Sequence, residues 1–220
     1  MKNGLKIYLN EVFKKTQTMP FDPNSAKKAG KKSKRGPAKK EGPSVIDGLI
    51  LLKPTVFKDE RGYFMESYNQ KNINKLFGNI HFVQDNESES SRGVLRGLHF
   101  QKPPLAQAKL VRCLKGEILD VALDLRKKSR TYGLFETTLL SDKNKNKLFI
   151  PKGFAHGFVV LSESAIVSYK VDNYYDPNYE SGVLWNDSDL NIDWKINDSE
   201  IILSEKDKGL PTFNEIISPF

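Results

Sequence analysis

From residue 45 onward, apolar residues occur in short runs that glycine, proline, asparagine and aspartate interrupt. The clearest run is residues 117–126, EILDVALDLR, in which leucine or valine occupies every second position and most of the intervening residues are polar. This period-two alternation predicts a β-strand with one buried and one polar face. Because similar runs recur about every ten residues, the pattern predicts an antiparallel sandwich or barrel.

A second alternating run, SAIVSYKVDNYY at residues 164–175, places a tyrosine on an apolar face. Tyr169 shares this face with Val167 and Val171, whereas Lys170 lies on the other. A phenol at such a position either caps the core or projects into a cavity, and its hydroxyl needs a hydrogen-bond partner in both cases. Tyr169 is therefore a candidate for chemistry as well as for packing.

One helix interrupts the predicted strands, in SYNQKNINKLFGN at residues 67–79. Apolar side chains follow the i, i+3, i+4 spacing from Ile73, which is the period of one helix face. Ser67 or Asn69 can cap the start, and Gly78 stands where a left-handed residue ends many helices.

The 220 residues suffice for one β-rich domain with a sizeable core. The formal net charge of +8 is concentrated in residues 1–44, which contain twelve basic and three acidic residues, whereas residues 45–220 contain 23 and 24. The first segment is rich in lysine, glycine, alanine, serine and proline, a composition typical of disorder. We therefore predict a basic, disordered extension followed by one domain. A functionally minor role is expected for the extension. Any polyanion that its lysines bind would be bound nonspecifically, so no specific nucleic acid is predicted as a partner.

No stretch approaches the roughly 20 consecutive apolar residues that a membrane helix requires. Charged residues also interrupt the apolar ones among the first thirteen residues, so neither a membrane span nor a signal peptide is predicted. Cys113 is the single cysteine, which excludes an internal disulfide and fits a reducing compartment. These features predict a soluble, cytoplasmic protein in which Cys113 is a packed core thiol.

Histidine occurs at three positions, His81, His99 and His156. There is no His-x-His pair, and no carboxylate lies two or four residues from His99, so no metal site is predicted. General acid–base chemistry is better supplied, because a histidine can accept a proton, a tyrosine can donate one from the opposite side and a cation can stabilise an oxyanion between them. Each residue taken alone is better explained by a structural role, but the combination favours chemistry.

The segment VLRGLHFQ, residues 94–101, places Arg96 and His99 three positions apart in a predicted strand. Strict alternation sends residues at odd spacing to opposite faces of a strand. If both side chains line one site, the strand must twist or bulge near Gly97, as glycine permits.

Eight segments in order carry a family resemblance: FKDERGYFMESY, FVQDNESES, VLRGLHFQ, AQAKLVRCLKGEILDVALDLR, IPKGFAHGF, YKVDNYYDPNYE, LWND and LSEKD. Together they resemble the dTDP-4-dehydrorhamnose 3,5-epimerase family over about residues 45–210. The resemblance implies an all-β, cupin-type jelly-roll barrel, or double-stranded β-helix, with a few short helices. It also implies a homodimer with exchanged strands and no cofactor.

The same resemblance implies the reaction. The 4-keto group of dTDP-4-dehydro-6-deoxy-D-glucose acidifies the hydrogens on C3 and C5, and the family inverts both carbons to give dTDP-4-dehydro-L-rhamnose. By position in the motifs, His99 is implied as the base and Asp207 as its paired carboxylate, Tyr169 as the acid and Lys109 as the group beside the enolate oxygen. Implied substrate-binding residues are Arg61, which is expected to reach across the dimer, and Glu66, Gln84, Asp85, Asn86, Arg96, His156, Glu180 and Lys206.

Three alternatives stay open at this point. A relative that epimerises only C3 or C5, or a ketoisomerase of a related dTDP-4-keto sugar, would share the scaffold. From a different class, the chain could be a non-catalytic sugar-nucleotide binder with a polyanion-binding extension. The combination of base, acid and lysine disfavours a pure binder, since binding alone does not require it.

Overall fold

The structure, a computed structural model, describes residues 46–220, so the extension predicted at residues 1–44 lies outside the described residues. The described part contains twelve strands and two α-helices, with one 3₁₀ helix, Asp198–Glu200. The helices are α1 (Gln70–Phe77) and α2 (Glu205–Lys208). The strands are β1 (Ile50–Leu52), β2 (Val56–Asp59), β3 (Gly62–Met65), β4 (Gln84–Ser91), β5 (Leu95–Gln101), β6 (Lys109–Lys115), β7 (Glu117–Asp124), β8 (Phe135–Ser141), β9 (Lys147–Ile150), β10 (Phe154–Val160), β11 (Ser164–Val171) and β12 (Glu180–Gly182).

Ten of these strands form two five-stranded antiparallel sheets, and β2 and β3 form a separate hairpin. The first sheet has the order β1-β9-β6-β11-β4, and the second has the order β12-β5-β10-β7-β8. A buried apolar cluster joins the sheets, with Val111 and Val167 from the first packed against Ile118 and Phe158 from the second. The prediction of an antiparallel sandwich or barrel is therefore confirmed.

Helix α1 begins and ends as its sequence predicts. The side chain of Asn69 caps the helix by accepting a hydrogen bond from the backbone N–H of Asn72, at 3.3 Å. Ile73 is buried against the outer side of the first sheet, and Gly78 ends the helix with a φ of 76°. Of the two candidate caps, Asn69 rather than Ser67 performs this role.

Strand β7 alternates as predicted, but both of its faces are buried. Leu119, Val121 and Leu123 pack against the C-terminal segment, which contributes Trp185 and Trp194 to the same cluster. The opposite face is directed toward the first sheet and is fully buried as well, including two aspartates at positions 120 and 124. The C-terminal segment thus covers the face that would otherwise be solvated, and the polar face lies inside the sandwich.

Strand β5 contains the bulge that VLRGLHFQ predicts. His99 pairs with His156 of β10 and Arg96 pairs with Phe158, so three steps along β5 match two steps along β10. The extra residue lies at Gly97, where φ is +117° and a side chain of any size would bring its Cβ within 2.7 Å of the Cα atom of Gly157. The bulge turns Arg96 and His99 to the same side of the sheet, and the prediction is confirmed.

Two smaller predictions also concern the described part. Cys113 is buried in the cluster between the sheets, as a packed core thiol should be. Within residues 46–220, no helix has the length and apolar character required to cross a membrane.

Candidate active site

A cleft between the sheets brings together the residues predicted to carry chemistry. One cavity of about 440 Å³ is lined by His99, Lys109, Tyr169 and Asp207, with His156 deeper in the barrel. A neighbouring cavity of about 350 Å³ shares the first three of these residues. The two cavities are therefore adjacent parts of one cleft, and the shared side chains lie where they meet.

His99 and Asp207 are 108 residues apart in the chain and in direct contact in the fold. His99 Nε2 lies 2.5 Å from Asp207 Oδ1. Because an ionised carboxylate only accepts hydrogen bonds, this contact assigns the hydrogen to Nε2 and leaves the other ring nitrogen free to accept a proton. The pair therefore has the arrangement of a general base with an orienting carboxylate.

Helix α2 fixes the carboxylate of Asp207. The hydroxyl of Ser204 donates to Asp207 Oδ2 at 2.9 Å and accepts from the Asp207 backbone N–H at 3.2 Å. Burial opposes ionisation of Asp207, but the hydrogen bonds from His99 and Ser204 outweigh it, so the pKa of Asp207 lies below its ordinary value. Asp207 is consequently an anion that can stabilise a protonated His99.

Tyr169 on β11 and Lys109 on β6 belong to the first sheet, whereas His99 is on β5 of the second. Lys109 Nζ lies 5.9 Å from the centre of the Tyr169 ring. Burial raises the pKa of Tyr169, an effect that the positive charge of Arg96 partly offsets. Among residues 46–220, no protein group forms a hydrogen bond with the phenol oxygen, and Tyr169 lines both cavities. Of the two alternatives for this phenol, projection into a cavity is the one observed.

Lys109 is surrounded by protein on the floor of the cleft. Burial lowers its pKa to about 8, although the negative charges of Asp120 and Glu180 oppose this shift. A lysine with such a pKa is mostly charged at neutral pH and can stabilise an oxyanion in a site from which water is largely excluded.

Cationic side chains surround the first cavity. Arg96 and Lys206 line it together with His156, and Arg96 Nε donates to the hydroxyl of Ser90 at 3.1 Å. His156 is only 6% exposed and its Nε2 lies 2.9 Å from Asp120 Oδ2. This concentration of positive charge suits a phosphorylated ligand.

Polar groups line the second cavity. Gln84 and Asn86 project into it from β4, joined by a 2.8 Å hydrogen bond between their amide groups. Glu180 accepts hydrogen bonds from Tyr175 at 2.6 Å and from Lys206 at 2.5 Å, which ties the loop before β12 to helix α2. The hydrogen bond to Glu180 raises the pKa of Tyr175 to about 12.

A cleft with a histidine–carboxylate pair, an unpaired phenol and a lysine can remove a proton beside a carbonyl group and return one from another direction. The family model described as dTDP-4-dehydrorhamnose 3,5-epimerase matches residues 43–215. The chain belongs to the dTDP-4-dehydrorhamnose 3,5-epimerase family. Within residues 46–220, no group of three or more histidine, cysteine, aspartate or glutamate side chains could hold a metal ion.

Individual relatives of this epimerase family agree with the match. The dTDP-4-dehydrorhamnose 3,5-epimerase of Methanothermobacter thermautotrophicus is 51% identical over 171 residues, which are 77% of this chain and 92% of the relative. The crystal structure of the Elizabethkingia anophelis enzyme has a TM-score of 0.75 and 54% identity, covering 79% of this chain and 95% of that one. A Legionella pneumophila 3,5-epimerase in complex with dTDP-4-keto-L-rhamnose has a TM-score of 0.76 and 44% identity, covering 79% and 92%.

These comparisons confirm three predictions. The fold is the cupin-type jelly roll of the epimerase family, and the chain is an isomerase with the activity of a dTDP-4-dehydrorhamnose 3,5-epimerase. The substrate prediction of a dTDP-sugar agrees with the ligand in the Legionella structure.

Three residues assigned to binding through the family resemblance do not line the cleft of this chain. Asp85 follows the alternation of β4 to the outer face and forms an ion pair with Lys170, at 2.7 Å. Arg61 lies on the exposed β2–β3 hairpin and forms a bidentate pair with Asp59. Glu66 lies beside helix α1, where its carboxylate accepts hydrogen bonds from two asparagine amides. Any substrate contact of Arg61 or Glu66 would require another subunit or a rearrangement.

One residue that lines the cleft and one residue buried behind it were absent from the sequence-based predictions. Tyr175 lines the second cavity, and only its position six residues after Tyr169 in a tyrosine-rich segment could have indicated this. Asp120 lies behind His156. The only feature of the sequence that could have indicated it was its position on the polar face of the predicted strand β7. That signal identified a polar face without showing what the face contacts.

Proposed function

We propose that the cleft inverts C3 and C5 of dTDP-4-dehydro-6-deoxy-D-glucose with His99 as base, Tyr169 as acid and Lys109 as the enolate-stabilising cation. One observation carries this assignment: the His99–Asp207 pair, the Tyr169 phenol and the Lys109 ammonium group all face one cleft. No other described cavity contains such a set.

In the first half of each inversion, His99 takes the proton from the carbon next to the 4-keto group. The electron pair of the broken C–H bond moves into the ring and places negative charge on the keto oxygen. Lys109 stabilises this enolate, and the Asp207 carboxylate stabilises the imidazolium that forms.

In the second half, Tyr169 donates its proton to the same carbon from the opposite face, and the keto group is restored. Burial keeps the pKa of Tyr169 high, so the phenol retains its proton at neutral pH until the carbon accepts it. Solvent then returns a proton to the phenolate and removes one from His99. Repetition at the second carbon gives dTDP-4-dehydro-L-rhamnose.

Binding of the nucleotide is assigned by charge. Arg96 and Lys206 suit the diphosphate because they concentrate positive charge in one cavity, and the planar group of Arg96 can contact two oxygens at once. Burial lowers the pKa of His156, so this residue is assigned a polar contact with the substrate as a neutral ring. Gln84 and Asn86 suit uncharged carbonyl and hydroxyl groups. Glu180 holds Lys206 in position through their ion pair.

Incubation of the protein with the substrate in heavy water tests the proposed reaction. We expect deuterium at both C3 and C5 of the product, because each carbon receives its new proton from a group that exchanges with solvent. Deuterium at only one of these carbons would identify a monofunctional epimerase, and migration of the ketone would identify a ketoisomerase. Binding without label would leave only the non-catalytic sugar-nucleotide binder.

The working unit is proposed to be a homodimer with exchanged strands. The β2–β3 hairpin pairs with no other strand among the described residues, and its Phe57 and Phe64 are 53% and 71% exposed. Such exposed aromatic residues favour burial against a second copy of the chain. In that arrangement, Arg61 would reach the cleft of the partner subunit.

Replacing Arg61 with alanine should raise KM for the substrate by about tenfold while changing kcat little, because a guanidinium that contacts an anion contributes to binding. Lys58→Ala, a charge removal on the same hairpin, is the matched control. At substrate concentrations well below KM, mixed dimers of Arg61→Ala and His99→Ala subunits should show about a quarter of the normal activity, since half of randomly paired dimers contain one complete site, whereas the same two variants kept as separate dimers should show about a twentieth. Absence of this recovery would place Arg61 outside the partner's cleft.

The extension at residues 1–44 is proposed to be dispensable for catalysis, and residues 45–220 to form the epimerase domain. The family match begins at residue 43, which supports this boundary. A cytoplasmic location remains a proposal from the sequence, supported by the single, buried thiol of Cys113.

A further inference from the structure

Asp120 is a fully buried carboxylate with an incomplete set of partners. It lies on the inner face of β7, and its Oδ2 accepts a hydrogen bond from His156 Nε2 at 2.9 Å. Its Oδ1 has no hydrogen-bond partner among the described residues, although the atom is buried. Buried polar atoms are nearly always paired, so an open carboxylate oxygen inside a barrel requires an explanation.

Asp124 shows that a position on the inner face of β7 does not by itself leave a carboxylate oxygen without a hydrogen-bond partner. It lies four residues later on the same face of β7 and is just as buried. Its two oxygens accept hydrogen bonds from Arg126, Ser129 and Thr131, so the side chain is fully satisfied. The two aspartates therefore differ in what they face: Asp124 faces a closed polar network, whereas Asp120 lies behind the floor of the cleft.

The other carboxylates beside the cleft already hold partners. Asp207 accepts hydrogen bonds from His99 and Ser204. Glu180 forms an ion pair with Lys206 and accepts a hydrogen bond from Tyr175. Lys109 is near both Asp120 and Glu180, but the carboxylate of Glu180 is already paired with Lys206, so Asp120 is the carboxylate that has an oxygen without a partner among the described residues.

We propose that Asp120 is a positioning residue of the epimerase, which orients His156 through one carboxylate oxygen and provides the counter-charge of Lys109 through the other. The proposal rests on the function assigned above to Lys109. Asp120 itself does not line the cleft and acts through the two side chains in front of it.

Each part of this role has a distinct consequence. The hydrogen bond assigns a hydrogen to His156 Nε2, so in the neutral ring Nδ1 is left to accept a hydrogen bond from a donor group of the substrate. The counter-charge keeps Lys109 cationic where the enolate forms, because a nearby anion raises the pKa of a lysine that burial lowers to about 8. Loss of Asp120 should therefore release the His156 ring from its fixed orientation and impair the stabilisation of the enolate.

Other titratable or charged groups also face Lys109 and His156. They come from every element around the cleft: Arg96 and His99 on β5, Tyr169 on β11, Glu180 on β12, and Lys206 and Asp207 on α2. The test must therefore compare two variants in which all of these groups are retained.

The experiment is the pH dependence of kcat and of KM for Asp120→Asn, with Asp124→Asn as the matched control. Lys109 loses its charge as pH rises, so activity falls through its pKa, and removal of the Asp120 anion should move this fall in kcat by about one pH unit toward lower pH. At a pH on the descending limb, kcat should be about tenfold lower than in the unmodified enzyme. Asp124→Asn should reduce thermal stability without changing the pH at which kcat falls. If Asp120→Asn folds and its kcat falls at the same alkaline pH as that of the unmodified enzyme, the proposal is overturned.

A measurement on the unmodified enzyme covers the case in which Asp120→Asn does not fold. With ¹⁵N-labelled imidazole rings, and with the signal of His156 assigned from a His156→Gln variant, NMR identifies the protonated nitrogen. We expect neutral His156 to carry its hydrogen on Nε2. A neutral ring with its hydrogen on Nδ1 would contradict the proposed hydrogen bond and overturn the proposal.

Lys109→Met separates this proposal from the proposed function. Retention of full activity in Lys109→Met would refute the role of the lysine itself. If Lys109→Met is inactive and the pH at which kcat falls is unchanged in Asp120→Asn, the role of Asp120 is refuted and the role of Lys109 stands.

Discussion

Substitution of His99 by alanine should abolish deuterium incorporation at both C3 and C5. The proposed mechanism uses this one imidazole to remove both carbon-bound protons, and a positioned general base contributes about 10²- to 10⁴-fold to such a step. The loss should appear in kcat with little change in KM, because the imidazole acts on the proton in the transition state. Proton NMR of the reaction in heavy water measures both carbons in one experiment.

His81→Ala is the matched control for this substitution. His81 is exposed and does not line either cavity, so its removal should leave exchange and inversion unchanged. Exchange that continued at one carbon in His99→Ala would show that a second base serves that carbon. Exchange at both carbons would remove His99 from the mechanism.

Substitution of Tyr169 by phenylalanine should separate proton removal from inversion. The variant keeps His99 and Asp207, so a proton can still be removed and returned on the same face of the sugar. It lacks the donor on the opposite face, so formation of the inverted product should fall by about 10²- to 10⁴-fold. The expected result is recovered substrate that carries deuterium, with little dTDP-4-dehydro-L-rhamnose.

Tyr174→Phe provides the control for the loss of a phenol hydroxyl. Tyr174 is 64% exposed in the loop after β11 and does not line the cleft, so this variant should behave like the unmodified enzyme. Normal inversion by Tyr169→Phe would show that another acid, or water, delivers the second proton.

Local patterns in the sequence predicted the elements that local chemistry determines. Period-two alternation placed Tyr169 on an inward face, and the structure confirms that placement. Gly97 in VLRGLHFQ predicted the bulge of β5, because glycine tolerates a positive φ and allows the close approach of Gly157. The helix cap at Asn69 followed from side-chain hydrogen bonding over three residues.

Alternation also carried information that the family resemblance did not use. The motif VQDN supplied Gln84, Asp85 and Asn86 together, but neighbouring residues of a strand point to opposite faces. The structure places the two amides in the cleft and Asp85 outside it, paired with Lys170. When a family motif lies on a strand, the presence of a residue in the motif therefore does not show that its side chain lies in the site.

The sequence by itself determined the strands, the helix, the bulge and the family, because each depends on residues that are close along the chain or on motifs in a fixed order. Only the tertiary structure decided which distant residues meet: that Asp207 contacts His99 across 108 residues, and that Asp120 is buried behind His156. Those contacts depend on how two sheets and a C-terminal segment pack together. Local alternation specifies a polar face, but packing specifies whether that face meets water, another sheet or the floor of an active site.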